Sequence, residues 1–113
     1  MTTSKSLSAD LDRGLDLARA GEYFAAHEEL ELAWRAAEPA EKDFFQGLVH
    51  VVVAWYQAGR GNETGCTRQL EKAVRRLSPF APEHRGVDVD ALLRQVGAAQ
   101  ELGSLELRPL DIP

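Results

Sequence analysis

The sequence predicts an all-α protein, a compact bundle of about five helices built from two antiparallel helical hairpins. Three observations predict this fold class. Apolar residues recur at helical spacing in every long segment, and glycine, proline or asparagine separates one segment from the next. The chain has 113 residues, of which 44% are hydrophobic, and this is enough for one domain with its own core.

The first predicted helix covers residues 9–20 of a helical domain that extends over residues 9–103. Residues 1–8 are polar and are predicted to be disordered. Ser8 is a suitable N-cap because its hydroxyl can accept a hydrogen bond from the first helical turn. Gly21 ends the helix, since glycine readily adopts the left-handed conformation that follows many helices.

The second predicted helix covers residues 23–37. Its apolar stripe contains Tyr23, Leu30 and Trp34. We therefore expect the Trp34 ring in the core, where its replacement by alanine would cost about 3–5 kcal/mol of unfolding free energy. Pro39 interrupts the pattern and fits the first turn of the next helix.

The third predicted helix covers residues 40–58 and is apolar most of the way round, so it should be central. Its main apolar face contains Phe44, Leu48, Val51, Val52 and Trp55. Gly47 lies in the middle of this helix, where glycine costs about 1 kcal/mol relative to alanine. A close approach of another backbone would explain it.

The fourth and fifth predicted helices cover residues 63–77 and 89–102. Asn62 and Asp88 precede them as N-caps. Residues 78–88 contain two prolines and a glycine and are predicted to form a loop. The tail, residues 104–113, is predicted to be irregular or to pack on the bundle through its apolar side chains, Leu105, Leu107, Leu110 and Ile112.

The segments that begin at Gly21 and Gly61 form a weak internal repeat. They align without gaps at an offset of 40 residues, and five of fifteen positions are identical. A repeat of this kind indicates two stacked helical hairpins with a glycine at each turn, in a tetratricopeptide-like local pattern. Two hairpins are fewer than a free-standing array needs, so we expect a closed bundle.

Charge and composition exclude several classes of partner. The net charge of −5 disfavours nucleic acid, because an acidic protein repels phosphate backbones. The basic side chains of the fourth helix surround Glu71 and are interpreted as a solvated face. The single cysteine, Cys66, cannot form an intrachain disulfide and is interpreted as a packing residue in a reducing compartment. No apolar run is long enough to cross a membrane, so we expect a soluble cytoplasmic protein.

The best candidate for a polar site lies in the second helix. His27 faces the same way as the apolar stripe, and Glu31 follows it by one turn, so the two side chains can pair while mostly buried. The third helix carries a mostly polar stripe that includes Gln46 and His50. If this stripe faced the second helix, Gln46 and His50 would converge with His27 and Glu31, and the two histidines with one or two carboxylates could bind zinc or another divalent metal.

Three segments resemble a known family. They are "GEYFAAHEELELAWR", "FFQGLVHVVVAWYQAGRGN" and "GCTRQLEKAVRRL", which together cover about half of the chain. Their order is similar to the domain of unknown function 309 family, whose members look like small all-α bacterial and archaeal proteins. The resemblance implies a compact helical fold and no assigned activity. Its polar positions correspond here to His27, Glu28, Glu31, Trp34, Gln46, Gly47 and Asn62. The sequence departs from the pattern at two positions. His50 occupies a position where the family has a glutamine, and Gln57 occupies one where the family often has a histidine.

Three functional interpretations remain open. The first is a binding or interaction protein with a buried His/Glu network, no catalytic activity and no cofactor. The second is a metal-binding protein or metal-dependent hydrolase centred on His27, Glu28, Glu31 and His50. The third is a tetratricopeptide-like adaptor for a peptide. The sequence also predicts a homodimer, because the third helix is apolar beyond what one neighbouring helix can cover.

Overall fold

The protein is described by a computed structural model that covers residues 3–102 and 110–112. Five α-helices dominate these residues, which confirms the all-α prediction. They are α1 (Thr3–Arg19), α2 (Tyr23–Ala36), α3 (Lys42–Gly59), α4 (Glu63–Leu77) and α5 (Val89–Leu102). Single 3-10 turns at Pro39–Glu41 and Ser78–Phe80 precede α3 and follow α4.

The helices pack mainly on their neighbours in sequence, and α3 is central. It contacts α2 on one side and α4 on the other, while α1 covers α2 and α5 covers α4. The molecule is therefore elongated, with principal extents of 44 × 25 × 21 Å. The largest fully buried side chains are Leu30, Phe44, Phe45, Leu48, Leu77 and Leu92. Burial of each such side chain stabilises the fold by roughly 1.5–3 kcal/mol.

The internal repeat is reproduced in the backbone at the turns between paired helices. Gly21 and Gly61 both have positive φ, at 79° and 76°. The Gly21 amide donates to the Ala18 carbonyl at 3.0 Å, and the Gly61 amide donates to the Ala58 carbonyl at 3.1 Å. In each turn the next amide bonds the carbonyl five residues back, at 2.9 Å in both cases. This pair of bonds is the Schellman motif, which requires a residue such as glycine at the left-handed position.

The second hairpin has a side-chain cap that the first lacks. Asn62 accepts a hydrogen bond from the Gly65 amide at 2.9 Å, as its position before α4 predicted. Glu22, the equivalent residue before α2, makes no such bond. Asp88 likewise accepts from the Ala91 amide at 2.9 Å and caps α5. Short polar side chains thus begin two of the helices.

Two parts of the first half differ from the prediction. The first helix begins at Thr3, and the buried Leu7 lies on it, so the disordered segment predicted for residues 1–8 is wrong from residue 3 onward. Ser8 consequently lies inside α1 and is not its cap. Helical spacing links Leu7 to Leu11 and Leu15, and packing of these three leucines extends the helix through a polar sequence.

The predicted loop at residues 78–88 contains a short hairpin, although no sheet was expected. Strands β1 (Glu83–His84) and β2 (Val87–Asp88) pair antiparallel, with His84 opposite Val87. Arg85 and Gly86 form the turn, both with positive φ. The hairpin is too short to alter the fold class.

The C-terminal residues that the structure describes pack on the bundle. Leu110 and Ile112 are buried, and the Leu110 amide donates to the Tyr23 hydroxyl at 3.2 Å. The Ile112 carbonyl accepts from Arg19 Nε at 2.9 Å. The other two apolar side chains predicted to pack there, those of Leu105 and Leu107, lie outside the described residues.

Trp34 is less buried than predicted, and Gly47 has a different neighbour. The Trp34 ring is half-buried at the edge of the core, and the Lys42 ammonium lies 5.3 Å from its centre. Trp55, in contrast, is 6% exposed. A Cβ at Gly47 would lie 2.6 Å from Leu77 Cγ, so a buried side chain rather than another backbone requires the glycine.

None of the helices formed by the described residues has the length and apolar character needed to cross a membrane.

Candidate functional site

His27 and Glu31 form the predicted pair on α2. His27 Nε2 lies 2.8 Å from Glu31 Oε2, because residues four apart face the same side of a helix. The second carboxylate oxygen of Glu31 accepts from Arg35 at 3.2 Å. The side chains of His27 and Glu31 are 26% and 32% exposed, so both are mostly buried, as expected, while each still reaches solvent. The pair lies at the border between core and solvent.

The Phe24 ring packs against both His27 and Tyr56 where α2 meets α3. The Phe24 ring centre lies 5.4 Å from that of His27 and 5.3 Å from that of Tyr56. Arg60 lies over Tyr56 at 5.5 Å and donates to its hydroxyl at 3.3 Å. Phe24 is nevertheless 52% exposed. We refer to Phe24, His27 and Tyr56 as the aromatic seam.

Two residues of the polar stripe on α3, His50 and Gln57, make hydrogen bonds to α4 and its N-cap and none to α2 in the described part of the chain, contrary to the arrangement that a metal site would need. His50 Nδ1 lies 2.7 Å from Gln69 Oε1 on α4. An amide oxygen can only accept, so Nδ1 carries the proton. Gln57, further along the stripe, accepts from Asn62 Nδ2 at 3.1 Å. Tertiary packing therefore pairs these polar groups with the second half of the repeat.

His50 is neutral at pH 7. Burial lowers its pKa below the ordinary value of 6.5, because an imidazolium loses hydration in the protein interior. The hydrogen bond with Gln69 opposes this shift, and the nearby cations of Lys72, Arg76 and Arg75 add to it. A basic helix thus lies within electrostatic reach of the middle of α3.

Only two of the five candidate polar residues come together. Glu28 is exposed on the outer side of α2, and Gln46 and His50 lie on the half-buried outer side of α3. Across residues 3–102 and 110–112, no three His, Cys, Asp or Glu side chains are placed to hold a metal ion. Cys66 is buried in the core, and burial raises the pKa of its thiol, so it behaves as the predicted packing residue.

Two histidine nitrogens are buried without a hydrogen-bond partner in the described part of the chain. They are His27 Nδ1 and His50 Nε2. A buried unsatisfied polar atom costs about 1–3 kcal/mol. Each histidine therefore has a hydrogen-bond partner at only one of its two ring nitrogens. The unpaired nitrogens lower the stability of the region where α2, α3 and α4 meet.

A further polar cluster was not predicted from the sequence. Glu41 Oε1 accepts from Arg85 Nε at 2.6 Å and lies 2.8 Å from His84 Nε2. The His84 ring also packs against Phe44, at 4.6 Å between centres, and against Phe80, at 4.8 Å. The cluster attaches the β-hairpin to the start of α3. Nothing in the local pattern links Glu41 to residues more than forty positions away.

Electrostatics favour the charged form of Glu41. Burial alone would raise the pKa of this carboxyl, but the hydrogen bonds and positive charges of Arg85 and His84 outweigh burial and lower it. Glu41 is thus a structural carboxylate at neutral pH.

The His27–Glu31 contact contributes little to stability, because both side chains reach solvent. We expect Glu31→Ala to lower the free energy of unfolding by less than about 1 kcal/mol. Glu31→Gln should lower it less, since an amide oxygen still accepts from imidazole. Urea denaturation of the two variants and the parent measures both effects. A loss of several kcal/mol in Glu31→Ala would show that the pair is more buried in solution than in the structure.

Comparison with known proteins supports the family that the sequence segments indicated. The pattern of the family described as Domain of unknown function (DUF309) matches residues 11–69. The uncharacterized protein YpuF of Bacillus subtilis is 34% identical over 68 residues, a stretch that covers 59% of this chain and 37% of that protein. The chain therefore aligns with only a little over a third of YpuF. Since the family pattern spans more than half of the sequence, from α1 into α4, the chain belongs to the DUF309 family.

Proposed function

We propose that this protein is an interaction module, without catalytic activity of its own, that works as a homodimer. The observation that carries the proposal is the outer face of α3, which lies between α2 and α4. This face is lined by six half-buried side chains, none of them charged at neutral pH: Gln46, Val49, His50, Val53, Tyr56 and Gln57. Charged residues make up 27% of the chain, so an uncharged strip over residues 46–57 is unusual for a surface that reaches solvent.

The aromatic seam borders this face and supports the proposal. Phe24 presents a large apolar ring to solvent beside Tyr56. Aromatic side chains that are partly exposed beside an uncharged strip are typical of protein interfaces. The pairing of His27 with Glu31 alone offers two donors, which is fewer than catalytic or structural zinc requires. Within the described residues no further His, Cys, Asp or Glu joins this pair as a metal ligand.

A cytoplasmic location is part of the proposal. Cys66 is the single cysteine of the chain and is buried as a thiol. A reducing compartment keeps such a thiol unmodified.

Sedimentation equilibrium tests the oligomeric state. We expect the parent to have twice the 12.5 kDa mass of one chain at tens of micromolar, roughly the range in which moderate dimers persist. Val53→Glu places a charge in the middle of the outer face and should give the mass of one chain. Circular dichroism checks that this variant remains helical. A parent that sediments as a monomer at this concentration contradicts the proposal.

A further inference from the structure

The two helices that flank α3 carry opposite charge. Helix α2 contains three glutamates and one arginine, for a net charge of −2, and α4 contains four basic residues and two glutamates, for a net charge of +2. Several of these charges have no partner within the described part of the chain. Glu28, Arg68 and Lys72 are exposed and make no ion pair there. The outer face of α3 is thus bordered by an acidic edge and a basic edge.

The two edges lie beside the same stretch of α3. Phe24 contacts Tyr56 near the end of α3, and α2 runs antiparallel to α3. Glu28 and Glu31 follow Phe24 by one and two turns, which brings them beside the middle of α3.

The contact between Gln69 and His50 shows which part of α3 the basic edge lies beside. This contact lies at the middle of α3. Arg68 and Lys72 lie next to Gln69 along α4 and on the side away from the core. The acidic and basic side chains therefore stand at similar heights on opposite sides of one uncharged strip.

We propose that a second copy of the chain binds this surface across a two-fold axis that runs along α3 and passes near His50. Such an axis keeps α3 parallel to its counterpart and exchanges the two edges. Glu28 and Glu31 of each copy then face Arg68 and Lys72 of the other, so the surface is self-complementary, as a two-fold interface requires. The proposal rests on the homodimer proposed above and assigns its interface and its pairing.

Charge reversal on each edge tests the pairing. The acidic-edge variant carries Glu28→Lys and Glu31→Lys, and the basic-edge variant carries Arg68→Glu and Lys72→Glu. A matched control carries Asp12→Lys and Glu101→Lys, which make the same change in net charge as the acidic-edge variant at exposed positions on α1 and α5. Circular dichroism establishes that all variants are helical before their masses are measured.

The dimer dissociation constant of each edge variant alone should be at least tenfold higher than that of the parent. The reason is that each variant brings like charges together twice in each dimer. The control should dimerise as the parent does. An equimolar mixture of the two edge variants should recover dimers, since lysines of one copy then face glutamates of the other. Native mass spectrometry should identify these dimers as the mixed species.

The outcomes separate the two proposals. A parent that is dimeric but insensitive to both reversals overturns the edge pairing and leaves the homodimer standing. Variants that are monomeric and do not recover on mixing also overturn the pairing, because loss of dimer would then have another cause. A monomeric parent overturns both proposals.

Discussion

Phe44→Ala is expected to lower the free energy of unfolding by about 3–5 kcal/mol, because it removes a completely buried ring and leaves a cavity. The Phe44 ring contacts Phe45 at 5.2 Å, Phe80 at 5.5 Å and His84 at 4.6 Å between ring centres. The contacts with Phe80 and His84 join α3 to the segment that connects α4 and α5. Guanidinium denaturation followed by circular dichroism measures the loss.

Trp34→Ala is the matched comparison, since it also truncates an aromatic side chain. The Trp34 ring is half-buried, so we expect a loss of only about 1–2 kcal/mol, well below the value that the sequence suggested. If the two variants lose the same free energy, the assignment of Phe44 to the core and Trp34 to its edge is wrong.

Glu41→Ala is expected to lower the free energy of unfolding by about 2 kcal/mol at pH 7, because it removes two hydrogen bonds made by a carboxylate. It also leaves His84 and Arg85 without their acceptor. Glu38→Ala removes a neighbouring exposed carboxylate that makes no ion pair in the described part of the chain and serves as the control. An effect of Glu41→Ala no larger than that of the control would show that the cluster does not hold the hairpin.

The pKa of Glu41 gives this prediction a pH dependence. Its folded-state pKa lies below the ordinary value of 4.5, so the contribution to stability is fully present above pH 4.5. As the pH falls below 4.5, the unfolded chain takes up the proton first, and the contribution disappears as the pH passes through the folded-state pKa. The difference in stability between the parent and Glu41→Ala should shrink over this range.

Protonation of His50 adds a separate loss of stability, which begins at a higher pH than that of Glu41. Its folded-state pKa is also lowered, so the parent should begin to lose stability as the pH falls below 6.5, before Glu41 titrates. Comparison of the parent with Glu41→Ala at each pH removes this shared contribution.

Local patterns in the sequence determined the five helices and the ends of two of them. Helical spacing placed α4 at residues 63–77 and α5 at residues 89–102, and the structure has the same bounds. Helix caps and turns also follow from local sequence. The caps are Asn62 and Asp88, the turn glycines are Gly21 and Gly61, and their hydrogen bonds join residues that are close in the chain. Such interactions depend on sequence distances of a few residues, which is why they can be read from the chain alone.

The candidate site was predicted only where its geometry is local. His27 and Glu31 lie one turn apart on one helix, and their contact follows from that spacing. The extent of their burial does not follow from that spacing, because it depends on how much of α2 is covered by α3. The burial of Trp34 was overestimated for the same reason.

Tertiary structure alone decided which helices face one another. His50 contacts Gln69 on α4, and Glu41 contacts His84 and Arg85 on the hairpin, across sequence separations that no periodic pattern reveals. The rotation of α3 about its axis determined these partners, and it is set by the fit of side chains such as Leu77 against Gly47. The sequence thus determined the helices and the acidic and basic character of α2 and α4. Packing placed those charges on either side of an uncharged face, because only close contact between helices specifies which surface each one leaves exposed.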